Sequence, residues 1–150
     1  MNIAIAPASP LEPGALALLG ESHALMQALF PPEDNFHLDP AALTSRHISF
    51  FAAKDSAQTL GIIALANMGD YGEIKSLFVA EAARGQGLAK RLLAHAEDEA
   101  RAQNLPLLRL ETGNLLSAAI ALYEGAGFTQ CPPFGDYPDA PTSIFMEKPL

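Results

Sequence analysis

The chain has 150 residues, with 9 Lys and Arg against 17 Asp and Glu, a formal charge of −8. That length suits one domain, residues 1–150, with a full hydrophobic core, and 49% hydrophobic against 17% charged residues excludes a disordered or fibrous chain. The acidic balance argues against a nucleic-acid partner, and the lone Cys131 excludes a disulfide framework or a Cys-rich zinc site.

No apolar run reaches the roughly 20 residues that span a bilayer. The start, Met1-Asn2-Ile3-Ala4-Ile5, carries no basic leader, so the expectation is a cytoplasmic protein without a membrane partner. Asn2 to Ala6 reads as a short strand stopped by Pro7-Ala8-Ser9-Pro10. Leu16, Leu18, Leu19, Leu25, Met26, Leu29 and Phe30 recur near helical spacing, with Gly20 as a weak point and Pro31-Pro32 as the stop. Pro40 to Ser45 reads as a second short helix, with Asp39 as its cap.

A three-strand meander follows. His47 to Ala53 and Thr59 to Asn67 form a hairpin through the turn Lys54-Asp55-Ser56-Ala57, and Gly69-Asp70-Tyr71-Gly72 leads into Glu73 to Val79. A long amphipathic helix is expected over about Gly87 to Gln103, with Leu88, Leu92, Leu93, Ala96 and Ala100 on one face. Leu107 to Glu111 is a strand, and Ser117 to Ala126 a helix ended by Gly127. Two last strands, from Phe128 and over Thr142 to Lys148, flank a loop rich in Pro and Gly.

The segment from Glu73 to Arg91 carries the most information. A strand runs into a loop with Gly85 and Gly87, and that loop opens directly into the long helix. Free amides and the positive end of the helix dipole suit a phosphate there, and glycines let the backbone approach it closely. Between Glu81 and Glu97 there is no acid, while Arg84, Lys90 and Arg91 are all present. The spacing fits neither the phosphate loop GxxxxGK[ST] nor the dinucleotide fingerprint GxGxxG.

Arg84-Gly85-Gln86-Gly87-Leu88-Ala89 instead resembles the [QR]-x-x-G-x-[GA] signature of the GNAT superfamily of acetyl-CoA-dependent N-acetyltransferases. A second marker, a helix bearing a Tyr followed shortly by Gly-Phe, reads Tyr123-Glu124-Gly125-Ala126-Gly127-Phe128, and the element order also matches. The resemblance implies a mixed, mostly antiparallel α/β fold with about six or seven strands and about four helices. It places the pyrophosphate of acetyl-CoA on the amides of Arg84, Gly85, Gln86, Gly87, Leu88 and Ala89, beside Lys90, and the pantetheine arm along Phe78 and Val79. It also implies that this strand splays from Leu107 to Glu111 to admit the co-substrate.

By the same resemblance Tyr123 is the general acid for the departing thiolate, with simple packing of its helix as the plainer reading. Its ordinary pKa of about 10 lies near that of a thiol. The family often carries Asn where this chain has Leu116, and Asn114 or Ser117 is the candidate replacement contact. Glu73 reads either as the proton acceptor for the amine or as a strand-edge charge paired with Lys75, and Glu111 is the second candidate. Alternation sets Glu73, Lys75 and Leu77 on one strand face and Ile74, Ser76 and Phe78 on the other.

The loop Pro132-Pro133-Phe134-Gly135-Asp136-Tyr137-Pro138-Asp139 joins two aromatics to two acids, which suits a cationic acceptor or simply a stiff connection. Phe30, Asn35, Phe36 and His37 are expected on the opposite rim, and Phe36, Glu111, Phe134 and Tyr137 are the acceptor-contact candidates. The four histidines lack metal spacing, His95 reads as a surface residue, and no metal is expected. The functional expectation is acetyl transfer to a primary amine of a small molecule or peptide by direct attack in a ternary complex, by an enzyme that in this family is often a homodimer. The alternative is a non-catalytic acyl-CoA-binding module on the same fold.

Overall fold

A computed structural model describes residues 2–56 and 58–150; Met1, at the expected leaderless start, and Ala57, in the expected 54–57 turn, lie outside the described residues. The elements are β1 (Ala4–Pro7), α1 (Pro13–Leu29), β2 (Ile48–Asp55), β3 (Gln58–Asn67), β4 (Gly72–Val79), α2 (Leu88–Ala102), β5 (Leu107–Gly113), α3 (Ser117–Gly125), β6 (Thr129–Gln130) and β7 (Ser143–Pro149). They build a seven-stranded sheet in the order β1-β2-β3-β4-β5-β7-β6. Every pairing is antiparallel except that of β4 with β5.

This is the mixed α/β sheet the sequence implies, with three α-helices among the described residues against the about four expected. The expected helix at Pro40 to Ser45 is a single 3-10 turn, Ala42–Thr44, without a side-chain cap; Asp39 contributes only its carbonyl oxygen, to the amides of Ala42 and Leu43. Gly20 does not split α1, which starts with Pro13 at its first position and ends before Pro31.

Alternation along the strands feeds two cores. Phe51, Ala53, Leu60, Ile63, Leu65, Leu108, Leu110 and Met146 face α2 and α3, which add Leu88, Leu92, Leu93, Ala96, Ala100 and Tyr123. Phe50, Ala52, Ile62 and Ala64 face α1 through Ala15, Leu18 and Leu19, with Leu43 beside them. His95, expected at the surface, is half-buried on α2 with its ring edge on Phe51 at 4.6 Å.

In β4 the simple alternation breaks. Its register against β3 shifts between the pairs Ile62↔Phe78 and Ala64↔Lys75, leaving Ser76 and Leu77 without ladder partners, and Ser76 has φ +57°. This is a β-bulge, one extra residue that reverses the facing beyond it. Leu77 therefore joins Ile74 on the α2 side, and Phe78 packs on the α1 side with Ala80. The expectation that Leu77 shares a face with Glu73 and Lys75 is corrected by that insertion.

The seam between α2 and the sheet sets stability. Leu92→Ala, at a fully buried position, is expected to cost about 2–5 kcal/mol. Leu29→Ala, at the exposed end of α1, is expected to stay within about 0.5 kcal/mol. Urea midpoints at unchanged slope measure both.

Candidate active site

β4 and β5 hold together over two residue pairs, Gly72↔Leu108 and Glu73↔Arg109, and then part. The opening is a cleft with Ile74 to Leu77 on one wall and Glu111 to Gly113 on the other. Helix α1 supplies Ser22, His23 and Met26 on one side of the sheet, and α3 supplies Ala119 and Tyr123 on the other, so the cleft runs through the parted edge. Ser76 and Leu77, unladdered on β3 and beyond the last β5 pair, bring backbone polar groups to it.

Past β4 the chain makes one 3-10 turn, Glu81–Ala83, and enters the glycine loop. Gly85 and Gly87 have φ of +77° and +75°, with open space where a Cβ would stand. Gly87 caps α2 without a side-chain bond. Among the described residues, the amides of Gly85, Gln86, Gly87, Leu88, Ala89 and Lys90 have no protein acceptor, whereas that of Arg84 donates to the Glu81 carbonyl at 3.2 Å. The free run is therefore 85–90, one residue later than the resemblance implies. Such a row at a helix N-terminus fits a diphosphate.

The side chain of Arg84 turns back, its Nε donating to the Val79 carbonyl at 3.1 Å and its guanidinium lying 5.4 Å from the centre of the Phe78 ring. Leu88 directs its side chain into the core, so only its amide is open. Arg91 is engaged elsewhere, on the Ile3 carbonyl.

Tyr123 is 7% exposed, packs edge-to-face on Phe128, and lines the cleft. Burial, and secondarily the charge of Glu111, pushes its phenol well above the usual range, so it stays protonated at neutral pH. Asn114 and Ser117 are exposed and stand outside the cleft wall. The apolar Leu116, at the start of α3, lines it instead.

Glu111, half-buried on the β5 wall, accepts the Ser143 hydroxyl at 2.7 Å. Burial raises its carboxyl above the usual carboxylate range, opposed by the Ser143 bond and Lys75 and reinforced by Glu73 and Asp34. Asp34 in turn accepts the Thr142 hydroxyl at 2.9 Å, which ties the rim after α1 to the loop before β7. Phe36, Asn35 and His37 line that rim as expected, and His37 stacks on His23 at 3.8 Å. Burial first, and His37 second, push the His23 imidazole down.

Glu73 is 3% exposed and does not line the cleft. Its Oε2 takes the Lys75 ammonium at 2.9 Å and the hydroxyl of Tyr137. Burial and that carboxylate push the Tyr137 phenol far up. The Tyr137 ring lines the cleft against Phe36, whereas Phe134 is buried behind it, 5.4 Å away, as packing. The Cys131 thiol is held up by burial and by Glu147, which keeps it unreactive. The described residues hold no group of three or more His, Cys, Asp or Glu able to bind a metal, and no helix among them is long and apolar enough to cross a membrane.

Of the site, sequence reasoning misses Ser76, Leu77, Asp34 and Thr142. Without a glycine the bulge leaves no sequence mark, and the Asp34–Thr142 bond joins residues 108 positions apart.

Comparison with known proteins agrees with this geometry. The acetyltransferase (GNAT) family profile matches residues 18–128. The chain is 43% identical to the IAA acetyltransferase of Azospirillum brasilense, over 99% of both chains. A solved structure from Klebsiella pneumoniae superposes with TM-score 0.83 at 32% identity, covering 99% of this chain and 97% of that one. The PaiA N-acetyltransferase of Thermoplasma acidophilum, solved in complex with coenzyme A, shares the fold at 18% identity over all of both chains, with TM-score 0.77.

A carboxyl raised by folding is neutral in both states at low pH, so it affects stability only above the ordinary carboxylate range. As pH rises from there through the raised value, ionisation favours the unfolded chain and stability falls. Glu111→Gln, which keeps an oxygen for Ser143, is therefore expected to raise Tm at pH 7 and to leave it unchanged below about pH 4. Thermal melts at the two pH values check this.

Proposed function

The chain belongs to the GNAT acetyltransferase family, and within it we propose that residues 1–150 form one N-acetyltransferase domain that moves an acetyl group from acetyl-CoA to a cationic primary amine. It is an acyltransferase. The observation that carries the finer reading is the parted β4–β5 edge, which opens between the row of free amides and the cleft bearing Tyr123 and Glu111.

The residues present fit the co-substrate. The amides of 85–90 and the N-terminus of α2 suit its diphosphate, with Lys90 close by on the first turn. The open backbone of Ser76 and Leu77, and the strand end at Phe78 and Val79, suit an amide-rich arm. Bound there, acetyl-CoA supplies the acetyl group as an activated thioester.

The acceptor meets Asp34 and Glu111 on the cleft walls, while the ammonium of Lys75 is already paired with Glu73. Two carboxylates without a free cation between them favour a positively charged amine. Of the two carboxylates considered for deprotonation, Glu111 is favoured over Glu73. It lines the cleft, and its raised pKa brings it closer to the working pH. The ammonium first gives one proton to the Glu111 carboxylate. The freed nitrogen lone pair then bonds to the acetyl carbon as the carbon–sulfur bond breaks, and the Tyr123 hydroxyl delivers its proton to sulfur. The resulting phenolate takes the second nitrogen proton as the amide forms. Backbone groups at the bulge polarise the carbonyl.

Direct attack in a ternary complex needs no cysteine, in keeping with Cys131. The non-catalytic alternative is not favoured, since it leaves this acid–base pair without a task. The acceptor is a small molecule or a peptide rather than a nucleic acid, the compartment is the cytoplasm, and a homodimer is the quaternary expectation.

Calorimetry with acetyl-CoA, and with ATP and NAD as controls, tests the co-substrate site. Wild type is expected to bind acetyl-CoA selectively and Gly87→Glu to lose that binding; folded wild type that binds none overturns the proposal. CoA release with phenethylamine and cadaverine as probe amines tests the chemistry. Glu111→Gln and Tyr123→Phe are each expected to lower kcat about 10²-fold or more. In Glu111→Gln the rise of kcat/KM with pH through the raised Glu111 carboxyl value, above the ordinary carboxylate range, is expected to vanish.

A further inference from the structure

Glu73, Lys75 and Tyr137 close a network that the acetyl-transfer chemistry leaves unused. The first two stand on β4, and the third lies 64 residues away from Glu73 in the loop before β7. The Tyr137 hydroxyl donates to Glu73 Oε2 and accepts from Lys75 Nζ at 2.8 Å, while Nζ also bonds the same Oε2 at 2.9 Å and lies 5.3 Å from the ring centre. Each of the three groups meets the other two.

The loop that carries Tyr137 has little else to hold its middle. Its middle has local backbone bonds, Tyr137 to the Phe134 carbonyl, Ala140 to that of Pro138 and Ser143 to that of Ala140. The longer-range ties, Cys131 to the Phe145 carbonyl, Asn114 to the Thr142 carbonyl and the Thr142 hydroxyl to Asp34, lie at its two roots. The ring is caged by Phe36, Phe134 and Phe145 with centroids 5.4 to 5.7 Å away. Aromatic contacts of this kind tolerate sliding and rotation, whereas a hydroxyl held between a carboxylate and an ammonium fixes one position.

Only one end of the network reaches the acceptor. Tyr137 and Lys75 line the cleft; Glu73 does not, and the same oxygen is occupied by both partners. A proton acceptor needs a free lone pair within reach of the amine. We infer that Glu73 and Lys75 are positioning residues that lock the Tyr137 ring as the acceptor-side wall of the cleft, and so set which amines fit. The consequence for amine choice rests on the transferase reading, but the anchoring itself does not.

Hydrogen exchange across residues 131–143 of the unliganded protein tests the anchoring. Tyr137→Phe keeps the ring and the Glu73–Lys75 pair, so the fold is retained. It is expected to speed exchange of the Tyr137, Ala140 and Ser143 amides by roughly tenfold or more, through loss of the hydroxyl's two charge-assisted bonds. Unchanged exchange overturns the inference.

Kinetics with phenethylamine and cadaverine test the role. Tyr137→Phe and Glu73→Gln are each expected to raise the amine KM by roughly 3–10-fold with kcat within about twofold. The double variant is expected to add little to either single one. The rise of kcat/KM with pH is expected to survive in both, and Glu73→Ala is expected to raise KM more than Glu73→Gln, which still offers an oxygen. A fall of about a hundredfold in kcat for Glu73→Gln, with that rise lost, makes Glu73 the proton acceptor and overturns the inference. If neither amine turns over, the exchange experiment decides the anchoring alone, and the transferase reading fails separately.

Discussion

The site depends on a seam only two residues long. β1 to β4 pair antiparallel in chain order, and β5, β7 and β6 form a second antiparallel set with β7 inserted between the other two. The direction of β4 is set by its partner β3, and that of β5 by seven consecutive pairs with β7. Among the described residues the two half-sheets pair only at Gly72↔Leu108 and Glu73↔Arg109. Beyond them β4 bends at the Ser76 bulge, in a conformation that costs a non-glycine residue about 1–3 kcal/mol. A wedge lined by backbone results, and open backbone groups are a standing demand for hydrogen-bonding partners. A ligand with amides of its own can meet that demand without any particular side chain.

The same wedge gathers charge. Glu73, Glu111 and Asp34 come within one another's field because β4, β5 and the rim after α1 converge on it, and each charge beside Glu111 moves its titration. Burying an acid is unfavourable unless it is bonded, and the fold satisfies each one differently. Glu73 has an ammonium and a phenol, Asp34 a threonine hydroxyl, Glu111 a serine hydroxyl. Glu73 is the most completely bonded of the three. Glu111 has one neutral donor and the burden of burial, which raises its carboxyl from the ordinary value. A division of labour among similar carboxylates follows from their partners, with no difference in the residues themselves.

How much of this was legible in the sequence varies with the range of the interaction. The glycine loop and α2 are local: a strand end, two glycines and a heptad-like apolar stripe specify the free amides to within one residue, and Arg84 drops from the run only because a 3-10 turn claims its amide. The splay of β4 from β5 came through resemblance, since nothing in either strand announces where pairing stops. Leu116 departs from the family pattern and lines the cleft, while Asn114 and Ser117 are exposed on the turn and first residue of α3, outside its wall. The bonds of Glu73 to Tyr137 and of Asp34 to Thr142 cross 64 and 108 residues. Such contacts are fixed by topology, and residue spacing carries no trace of them.

Tyr123 shows why a shifted pKa has to be judged against its partner. Taken alone, a phenol forced upward by burial is a worse acid than one in water, and transfer to a free thiolate would be uphill. The thiolate in question is not free. On the proposed reading a sulfur leaving beside Tyr123 would be surrounded by the apolar groups of α3 and β5 that line the cleft, and burial raises any anion's affinity for a proton. Desolvation thus acts on both members of the exchange in the same direction, and the difference between them, which governs transfer, changes far less than either value. What burial adds is certainty about the starting state. Tyr123 holds its proton at neutral pH, within the field of Glu111, and on the proposed reading that carboxylate favours keeping it there until negative charge develops on sulfur.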